Sequence, residues 1–338
     1  MVHFAEKGEL HIKNDTYSFK EKNGGISMKR KIATRIRRIV SFGLVLAVML
    51  AGTSVYALAA DTNSAFSTDD VENGMSVTYN VVSGEVTYGA DQNYTPIDAD
   101  SAELKGVNDE EIALTGIIGP DDRTMVSNTT AYPYNGICYV ESTYPDGTIR
   151  RGTDSLVYSN VMLTSGDMVY LQDRGGWATQ VLVIPALNSD GYNRPYGTAY
   201  GTNLTTNLQW TENKSTEWDW AIVDLDKSFS SWLGVGYNNN YTLYIGTTAA
   251  TVGYPQDKGF QMWQDINSVS AAGERYLKAL NDIVYGDNGA PLMALETGTV
   301  AGIIITEHQE NGVYFYKSAV RINADLYSRI KAHISEVQ

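Results

Sequence analysis

The sequence predicts an all-β protein with one helix at its C-terminal end. Tyr (23 residues) and Gly (31 residues) are frequent, whereas only 19% of the chain is charged. That composition suits an extracellular β protein better than a helical cytosolic enzyme. From Thr115 onward, short apolar or alternating runs are separated by turn residues, a pattern typical of barrels and sandwiches.

Each predicted element rests on a local pattern. At the end of the chain, Asn323 can cap a helix in which Leu326, Ile330 and Ile334 recur every four residues. The strands are predicted from apolar or alternating runs of three to six residues. These runs are 137–140, 169–171, 181–184, 221–225, 241–245, 249–252 and 300–305.

Length and charge limit the classes of function. The chain has 338 residues, enough for one or two domains, and a net charge of −14. Residues 1–60 hold ten Lys/Arg and four Asp/Glu, which leaves 15 basic and 35 acidic residues for the rest. This acidity argues against nucleic acid or an anionic membrane surface as a partner. The single cysteine, Cys138, cannot form an internal disulfide, so we expect packing and hydrogen bonds to hold the fold.

The N-terminal region predicts export. A basic cluster that begins at Met28 precedes an uncharged run over 39–60 that ends in small residues, the pattern of a signal peptide over 28–60. The polar residues 1–27 fit neither a signal nor a fold and are predicted to be a non-structural extension. We expect secretion and a mature chain that begins near Ala60 or later. The alternative is an uncleaved membrane anchor, because 22 uncharged residues can span a bilayer.

Residues 61–115 are acidic and leave two interpretations open. Alternation over 76–81 and again over 85–88, around Ser83–Gly84, predicts a hairpin. The residues after it have the composition of a solvated linker. The segment is either a prosegment or an acidic spacer.

The stretch Tyr285–Pro291, with the sequence YGDNGAP, is the most informative motif. It resembles the nucleophile loop of a chymotrypsin-fold serine protease with asparagine at the position of serine. In that loop, backbone N–H groups face a developing oxyanion while a hydroxyl faces the substrate carbonyl. Gly-Asp-Asn-Gly is also an ordinary turn sequence, so the assignment needs further support.

That support comes from motifs distributed over 116–338, which is similar to the bacterial glutamyl endopeptidases, a secreted branch of the trypsin-like serine proteases. The most specific motifs are IIGPDDRT at 117–124 and NTTAYPY at 128–134. Further matches follow in the family's order at 195–197, 219–222, 232–237, 253–258, 262–264 and 321–322. The resemblance implies two six-stranded antiparallel β-barrels with a C-terminal helix, made with a signal peptide and a prosegment.

Carried over residue by residue, the family's catalytic triad is incomplete in this chain. Asp219 matches the triad aspartate, Asp167 occupies the position of the histidine, and Asn288 that of the serine. The oxyanion hole would be formed by the backbone N–H groups of Gly286 and Asn288. The four histidines, His3, His11, His308 and His333, lie outside the predicted first barrel.

The family's substrate selection is also changed. The specificity histidine aligns with Ile305, whose apolar side chain cannot pair with a glutamate. A shifted register would bring His308 to the site, although a surface loop is the simpler interpretation. Met168 stands at one cysteine of the family's early disulfide. Cys138 as a replacement nucleophile has no histidine near it in sequence, which favours a buried, inert thiol.

We therefore predict a secreted pseudoprotease that binds a peptide or protein and needs no cofactor or metal. One alternative is an active serine endopeptidase with an unrecognised catalytic arrangement. Another is a cation-stabilised scaffold built on Asp167, Asp219 and Asn288, although three ligands are fewer than Ca²⁺ usually takes. Because two carboxylates in a desolvated cleft cannot both ionise cheaply, we expect protonation, a cation or a water to relieve the pair Asp167 and Asp219.

Overall fold

The computed structural model describes residues 8–13, 16–21, 29–31, 68–89, 117–118, 120–188, 193–306 and 317–336. The chain forms two compact units, Met1–Ala60 and Asp61–Gln338. Each unit is described below by itself. Both the expected signal-peptide core at 39–60 and His308 lie outside the described residues.

The first unit contains a three-stranded antiparallel sheet: β1 (Gly8–Lys13), β2 (Thr16–Glu21) and β3 (Lys29–Lys31). This differs from the expectation that residues 1–27 have no fold. Apolar and polar residues alternate over a few positions in β1 and β2, as in a strand. The register pairs the apolar residues, Leu10 with Phe19 and Ile12 with Tyr17. Among the described residues of the chain, no helix is both long and apolar enough to cross a bilayer.

The second unit holds 17 strands and three α-helices within its described residues. The helices are α1 (Thr68–Glu72), α2 (Leu208–Asn213) and α3 (Ala324–Glu336). The strands up to residue 207 are β4 (Ser76–Asn80), β5 (Val86–Gly89), β6 (Thr124–Met125), β7 (Ile137–Thr143), β8 (Ile149–Tyr158), β9 (Val161–Thr164), β10 (Tyr170–Leu171), β11 (Gly176–Trp177), β12 (Gln180–Pro185) and β13 (Ala199–Asn207). The remaining strands are β14 (Ala221–Leu225), β15 (Thr248–Gly253), β16 (Trp263–Ala272), β17 (Tyr276–Ala279), β18 (Pro291–Ala294), β19 (Thr299–Thr306) and β20 (Lys317–Arg321).

The first barrel is a closed antiparallel sheet of six strands. Its order is β12-β7-β8-β9-β14-β13, and pairing of β12 with β13 closes the ring. Apolar side chains from all six strands form its own core, including Cys138, Val140, Leu156, Met162, Val183, Leu204 and Val223. Closure removes most of the unpaired edges that an open sheet would present.

A hairpin formed by β4 and β5 adds to this barrel. Their register pairs Thr78 with Thr87, and the turn contains Ser83 and Gly84 with φ +74° at the glycine. This confirms the predicted hairpin. β4 also pairs with β13, so the hairpin extends the sheet of the first barrel.

The second barrel repeats the architecture. Its order is β15-β18-β19-β20-β17-β16, closed by pairing of β15 with β16, and the short strand β6 adds to β16. The two six-stranded barrels and the C-terminal helix confirm the predicted fold class.

A further apolar cluster, separate from the core of the first barrel, joins both barrels to α3. It includes Ile137, Val157 and Ile222 of the first barrel, Val252, Ile303 and Val320 of the second, and Leu326, Ile330 and Ile334 of the helix. The cap is the predicted one, because the Leu326 N–H donates to Asn323 Oδ1 at 2.9 Å. The helix therefore begins at the expected place and buries the expected face.

Most predicted strands are found, with one error. Residues 137–140, 181–184, 221–225, 249–252 and 300–305 lie in strands, and the predicted strand 169–171 is found as the shorter Tyr170–Leu171, whereas Tyr241–Tyr244 forms a 3-10 helix. Asn240 caps that turn through the Thr242 N–H at 3.2 Å. Of its alternating apolar residues, Tyr241 packs against the core of the second barrel, whereas Leu243 is 59% and Ile245 42% exposed. Local capping thus outweighs the strand-like alternation.

We predict that Asn323→Ala lowers the free energy of unfolding by about 1 kcal/mol, because the first turn of α3 loses its capping acceptor. Urea denaturation checks this value. Asn323→Ser, which keeps an acceptor, is the matched control and should lose only a few tenths of a kcal/mol, roughly. Equal losses in both variants would contradict a capping role.

Candidate functional site

The loop that contains Asn288 has two glycines that no other residue can replace without strain. Gly286 has φ +103°, and a Cβ there would lie 2.3 Å from the Tyr254 carbonyl oxygen. Gly289 has φ +83°, and its Cβ would lie 2.3 Å from the Thr153 carbonyl oxygen. The fold thus requires glycine on both sides of Asp287–Asn288, whatever side chain stands at position 288.

Hydrogen bonds tie this loop to both barrels. Thr153 of β8 donates its N–H to the Asn288 carbonyl at 2.8 Å and its hydroxyl to the Gly286 carbonyl at 2.7 Å. On the other side, the Gly289 N–H donates to the Ile304 carbonyl of β19 at 2.8 Å. The loop is therefore held in place by backbone contacts from two directions.

Asp167 lies on a 3-10 turn, Gly166–Met168, that follows β9. Its carboxylate accepts hydrogen bonds at both oxygens. Oδ1 accepts from the Ser165 hydroxyl at 2.6 Å, and Oδ2 accepts from Asn288 Nδ2 at 2.9 Å. The structure thus brings together the two residues aligned with the family's histidine and serine, by a direct side-chain contact.

Arg150 of β8 also contacts the Asp167 carboxylate, and sequence reasoning missed it. Its guanidinium forms an ion pair with Asp167 Oδ2. The two side chains are 15% and 4% exposed, so the pair is shielded from solvent. The sequence contained only a weak signal for this contact. Arg150 and Arg151 are adjacent in a strand of an acidic chain, and successive side chains of a strand point to opposite faces, so one of the two faces the site. Arg151 instead pairs with Glu141 at 2.9 Å.

Asp219 contacts the backbone of the Asp167 turn. Asp219 Oδ1 accepts the Asp167 N–H at 2.9 Å, and the carboxylate also accepts the Gly166 N–H. Burial raises the pKa of Asp219 well above its usual value, and the charge of Asp167 raises it further. The positive charge of Arg150 lowers the pKa of Asp219 and so opposes the effect of Asp167.

Two aromatic residues support the same turn from behind. The Tyr144 hydroxyl donates to the Asp167 carbonyl at 2.5 Å. Trp210 of α2 lies against Gly166, where an added Cβ would be 2.8 Å from the Trp210 ring. The position of Asp167 is thus determined by packing on the inner side as well as by its side-chain partners.

The assembled site is closed to solvent at its centre. Asn288 is 0% exposed, and Asp167 and Asp219 are each 3% exposed. Tyr285 is 39% exposed, and the Arg150 guanidinium lies 5.9 Å from its ring centre. The exposed part of the site is therefore the ring of Tyr285, which lies beside the largely buried guanidinium of Arg150.

The remaining predicted site residues lie elsewhere or in the core. Ile305 is 3% exposed and belongs to the cluster that joins the barrels to α3. The one histidine whose side chain the structure describes, His333, lies on α3 with Nε2 2.7 Å from Asp224 Oδ1. Cys138 is a free, buried thiol whose pKa is raised by burial and by the charge of Asp154.

Asp287, next to Asn288, is a second residue that sequence reasoning missed. It is 3% exposed, and its Oδ2 accepts the Val284 N–H at 3.0 Å. Burial raises its pKa to about 7. A carboxyl beside position 288 therefore titrates near neutral pH.

Within the described ranges, no three His, Cys, Asp or Glu side chains are grouped so that they could hold a metal ion. The positive charge at Asp167 comes from Arg150 instead.

The sequence is similar to two proteases of Bacillus. It is 33% identical over 231 residues to the extracellular metalloprotease of Bacillus subtilis, covering 66% of this chain and 71% of that protein. The chain belongs to the family of extracellular proteases that includes the glutamyl endopeptidases. It is also 28% identical over 239 residues to the glutamyl endopeptidase of Bacillus licheniformis, covering 68% of this chain and 73% of that protein. No protein-family model matches the chain.

A solved structure carries the same fold. A Glu endopeptidase determined in complex with MPD superposes with a TM-score of 0.56 and 23% identity, covering 66% of this chain and all of that chain. At this identity the similarity shows the fold alone. The glutamyl endopeptidase fold therefore agrees with the two barrels and α3 described above.

We predict that Asp287→Asn stabilises the protein at pH 8 but not at pH 4. The folded pKa is about 7, raised from 3.8. Between these values the folded state holds a proton that the unfolded state has lost, so the stability of the parent falls as pH rises. Asparagine removes this dependence while keeping an acceptor for the Val284 N–H. The gain should approach about 4 kcal/mol above pH 7.

Urea denaturation of both proteins from pH 4 to 8 measures this difference. Carboxyls that do not interact with Asp287 titrate equally in parent and variant, so the difference reports Asp287 together with its neighbours Asp257 and Asp265. A difference that does not change with pH would contradict the raised pKa.

We also predict that Asp167→Asn destabilises the protein at neutral pH by roughly 3 kcal/mol, because Arg150 loses its carboxylate partner in a shielded position. Repulsion between Asp167 and Asp219 alone would make the same substitution stabilising. The loss of the Arg150 partner outweighs that gain. The double variant Arg150→Met/Asp167→Asn, which leaves no unpaired charge, should recover much of the loss. Thermal melts of the three proteins decide; an Asp167→Asn protein as stable as the parent would contradict the role of the ion pair.

Proposed function

We propose that the protein is a catalytically inactive member of the glutamyl endopeptidase family that binds a peptide or protein. One observation carries the proposal: the positions of the serine and the histidine hold Asn288 and Asp167, locked to each other and to Arg150 in a buried network. The assignment of these positions rests on the aligned motifs together with this contact.

The first consequence concerns the nucleophile. Serine attacks a carbonyl when a neighbouring base takes its proton. Asn288 has no hydroxyl, and its amide nitrogen donates to Asp167. Loss of either the serine or the histidine costs about a millionfold in kcat in a related system, and the losses do not add. Backbone donors alone leave roughly a thousandfold acceleration over water, too little for a working protease.

The second consequence concerns the base. The Asp167 oxygens are engaged by Ser165, Asn288 and Arg150. One of these partners is a cation, which holds the carboxylate in an ion pair. The described histidine, His333, pairs with Asp224 instead. The arrangement therefore supplies a structural ion pair where a triad would need a general base.

Binding does not require the missing groups. The glycine-dependent backbone of the 286–289 loop is kept, and main-chain groups in such a cleft can pair with an extended peptide. Tyr285 offers an exposed ring beside Arg150, and Tyr and Arg are the side chains that most often dominate recognition. The ligand we propose is an extended peptide segment whose residues contact this ring.

A second candidate is an active endopeptidase with a different catalytic arrangement. It is favoured by the 33% identity to a secreted protease. The cation-stabilised scaffold is less supported, because the positive charge that it assigned to Ca²⁺ comes from Arg150. In each case we propose secretion, in keeping with the extracellular relative and the signal-peptide pattern of residues 28–60.

We predict that the protein binds peptides without cleaving them. A fluorescent peptide library that includes glutamyl peptides would be screened by polarisation, and hits would be incubated and examined by mass spectrometry for cleavage. Tyr285→Ala should weaken binding about tenfold, the effect of removing one aromatic anchor.

The matched control is Tyr200→Ala, because Tyr200 is similarly exposed (42%) but lies on β13. It should leave binding unchanged. Cleavage of glutamyl peptides above background, with loss of that activity in Asp219→Asn, would establish the active endopeptidase instead.

A further inference from the structure

We propose that residues 68–89, called here the N-terminal clamp, are a permanent part of the folded protein and stay bound to the barrel domain even when the chain between 89 and 117 is cut. The clamp comprises α1, β4 and β5. It lies in the stretch that the sequence presents as prosegment or spacer. The inference does not depend on the proposed function.

The clamp is bound first through its backbone. β4 runs antiparallel to β13, with five register pairs from Asn80–Asn203 to Ser76–Asn207. Pairing continues beyond the strand at both ends. The Val81 N–H donates to the Thr202 carbonyl at 2.8 Å, and the Leu208 N–H donates to the Met75 carbonyl at 2.9 Å.

Cross-strand side chains add to this pairing. The hydroxyls of Thr78 and Thr205 are 2.8 Å apart, and Asn80 Nδ2 donates to Asn203 Oδ1 at 2.7 Å. Such pairs are the units that stabilise a sheet. The Val77 side chain is 3% exposed, so the clamp contributes buried apolar surface as well as hydrogen bonds.

An aromatic contact binds the outer part of the clamp. The ring of Tyr79 stacks on Trp177, with ring centres 5.6 Å apart and an interplanar angle of 15°. Tyr79 and Val81 also pack against the core of the first barrel. Stacked aromatic pairs stabilise beyond the area that they bury.

A buried arginine of the barrel domain depends on the clamp. Arg329 of α3 is 1% exposed. Its Nη1 donates to the Ser76 hydroxyl at 2.9 Å, and its Nη2 donates to the Asn73 carbonyl at 3.4 Å. Its Nε donates to Asp325 at 2.8 Å. Departure of the clamp would therefore remove two partners from a buried cation, which is costly.

The turn of the clamp fits closely on a tryptophan. Gly74 has φ +61°, and a Cβ there would lie 2.2 Å from the Trp218 ring. The Arg275 guanidinium also lies against this ring, 3.6 Å from its centre. Trp218 is 8% exposed with the clamp in place, so removal would expose a large aromatic surface.

The clamp also reaches the candidate site indirectly. Gln209 of α2 donates to the Glu72 carbonyl at 3.3 Å, and α1 contacts α2. The next residue, Trp210, packs on Gly166 beside Asp167. The clamp therefore holds the helix that supports the Asp167 turn.

The backbone groups at the edge of β13 are a reason for the clamp to stay bound. Without it, residues 203–207 of β13 would present unpaired N–H and C=O groups, a template for aggregation. The clamp satisfies them and covers Arg329 and Trp218 at the same time. A segment bound at so many points behaves as a strand of the domain, in contrast to a removable spacer.

The test uses the full-length chain with a recognition site for a sequence-specific protease inserted between Asp100 and Ser101. After cleavage, the sample is passed over a gel-filtration column under native conditions, and the peak is analysed by mass spectrometry. We expect both fragments in the domain peak at about equal molar amounts. Separation should require denaturant.

A matched pair of substitutions controls the result. Val77→Asp places a charge at a buried position of β4, whereas Val82→Asp places it at a turn position that is 86% exposed. In the cut protein, Val77→Asp should weaken retention roughly a hundredfold or more, and Val82→Asp should leave it unchanged. Near-ultraviolet circular dichroism checks that the barrels of each sample are folded.

Two outcomes would overturn the proposal. One is an unsubstituted cut protein whose N-terminal fragment elutes separately while the barrels stay folded. The other is equal retention of the Val77→Asp and Val82→Asp fragments, which would mean that β4 does not hold the segment.

Discussion

The ion pair between Arg150 and Asp167 is the interaction on which the rest of the site depends. Asp167 is buried beside Asp219, and a second carboxylate there would be costly without a nearby positive charge. Arg150 supplies that charge, and the same Asp167 oxygen accepts the amide of Asn288. The Asp167 carboxylate, on a turn of the first barrel, thus contacts Arg150 on a strand of the same barrel and Asn288 in the 286–289 loop. The Ile304 carbonyl of the second barrel accepts a hydrogen bond from that loop.

The path of the 286–289 loop does not depend on the side chain at position 288, so the fold is compatible with the proposed loss of the triad. Positive φ and close backbone approach at Gly286 and Gly289, together with the two Thr153 hydrogen bonds, determine the path of the loop. None of these contacts involves the side chain at 288. An asparagine can therefore stand there with no change of backbone, and its amide gains a partner in Asp167. The side chains of Asp167, Asn288, Ser165 and Arg150 form a closed, buried network of hydrogen bonds and one ion pair.

Sequence reasoning succeeds where the signal is local and fails where it is not. Asn323, with apolar residues every fourth position, predicts α3 because capping and burial act within a few residues. Strand-like alternation over 241–245 is misleading, since Asn240 caps a turn and Leu243 stays exposed. Contacts between residues far apart in sequence are not indicated by the local sequence pattern. The contact of Arg150 with Asp167 and the burial of Asp287 arise only when separate elements meet, and the docking of β4 on β13 follows from pairing that no single strand reveals.

The central claim is that no group at this site can form a covalent bond with a substrate. Intact-mass spectrometry of the unmodified protein after incubation with a fluorophosphonate tests it most directly, because such a probe forms a stable adduct with an activated serine. We expect the mass of the protein to be unchanged, under conditions in which an active serine endopeptidase is fully labelled. A stoichiometric mass increase that grows with time, mapped to a residue in the cleft between the barrels, would contradict it.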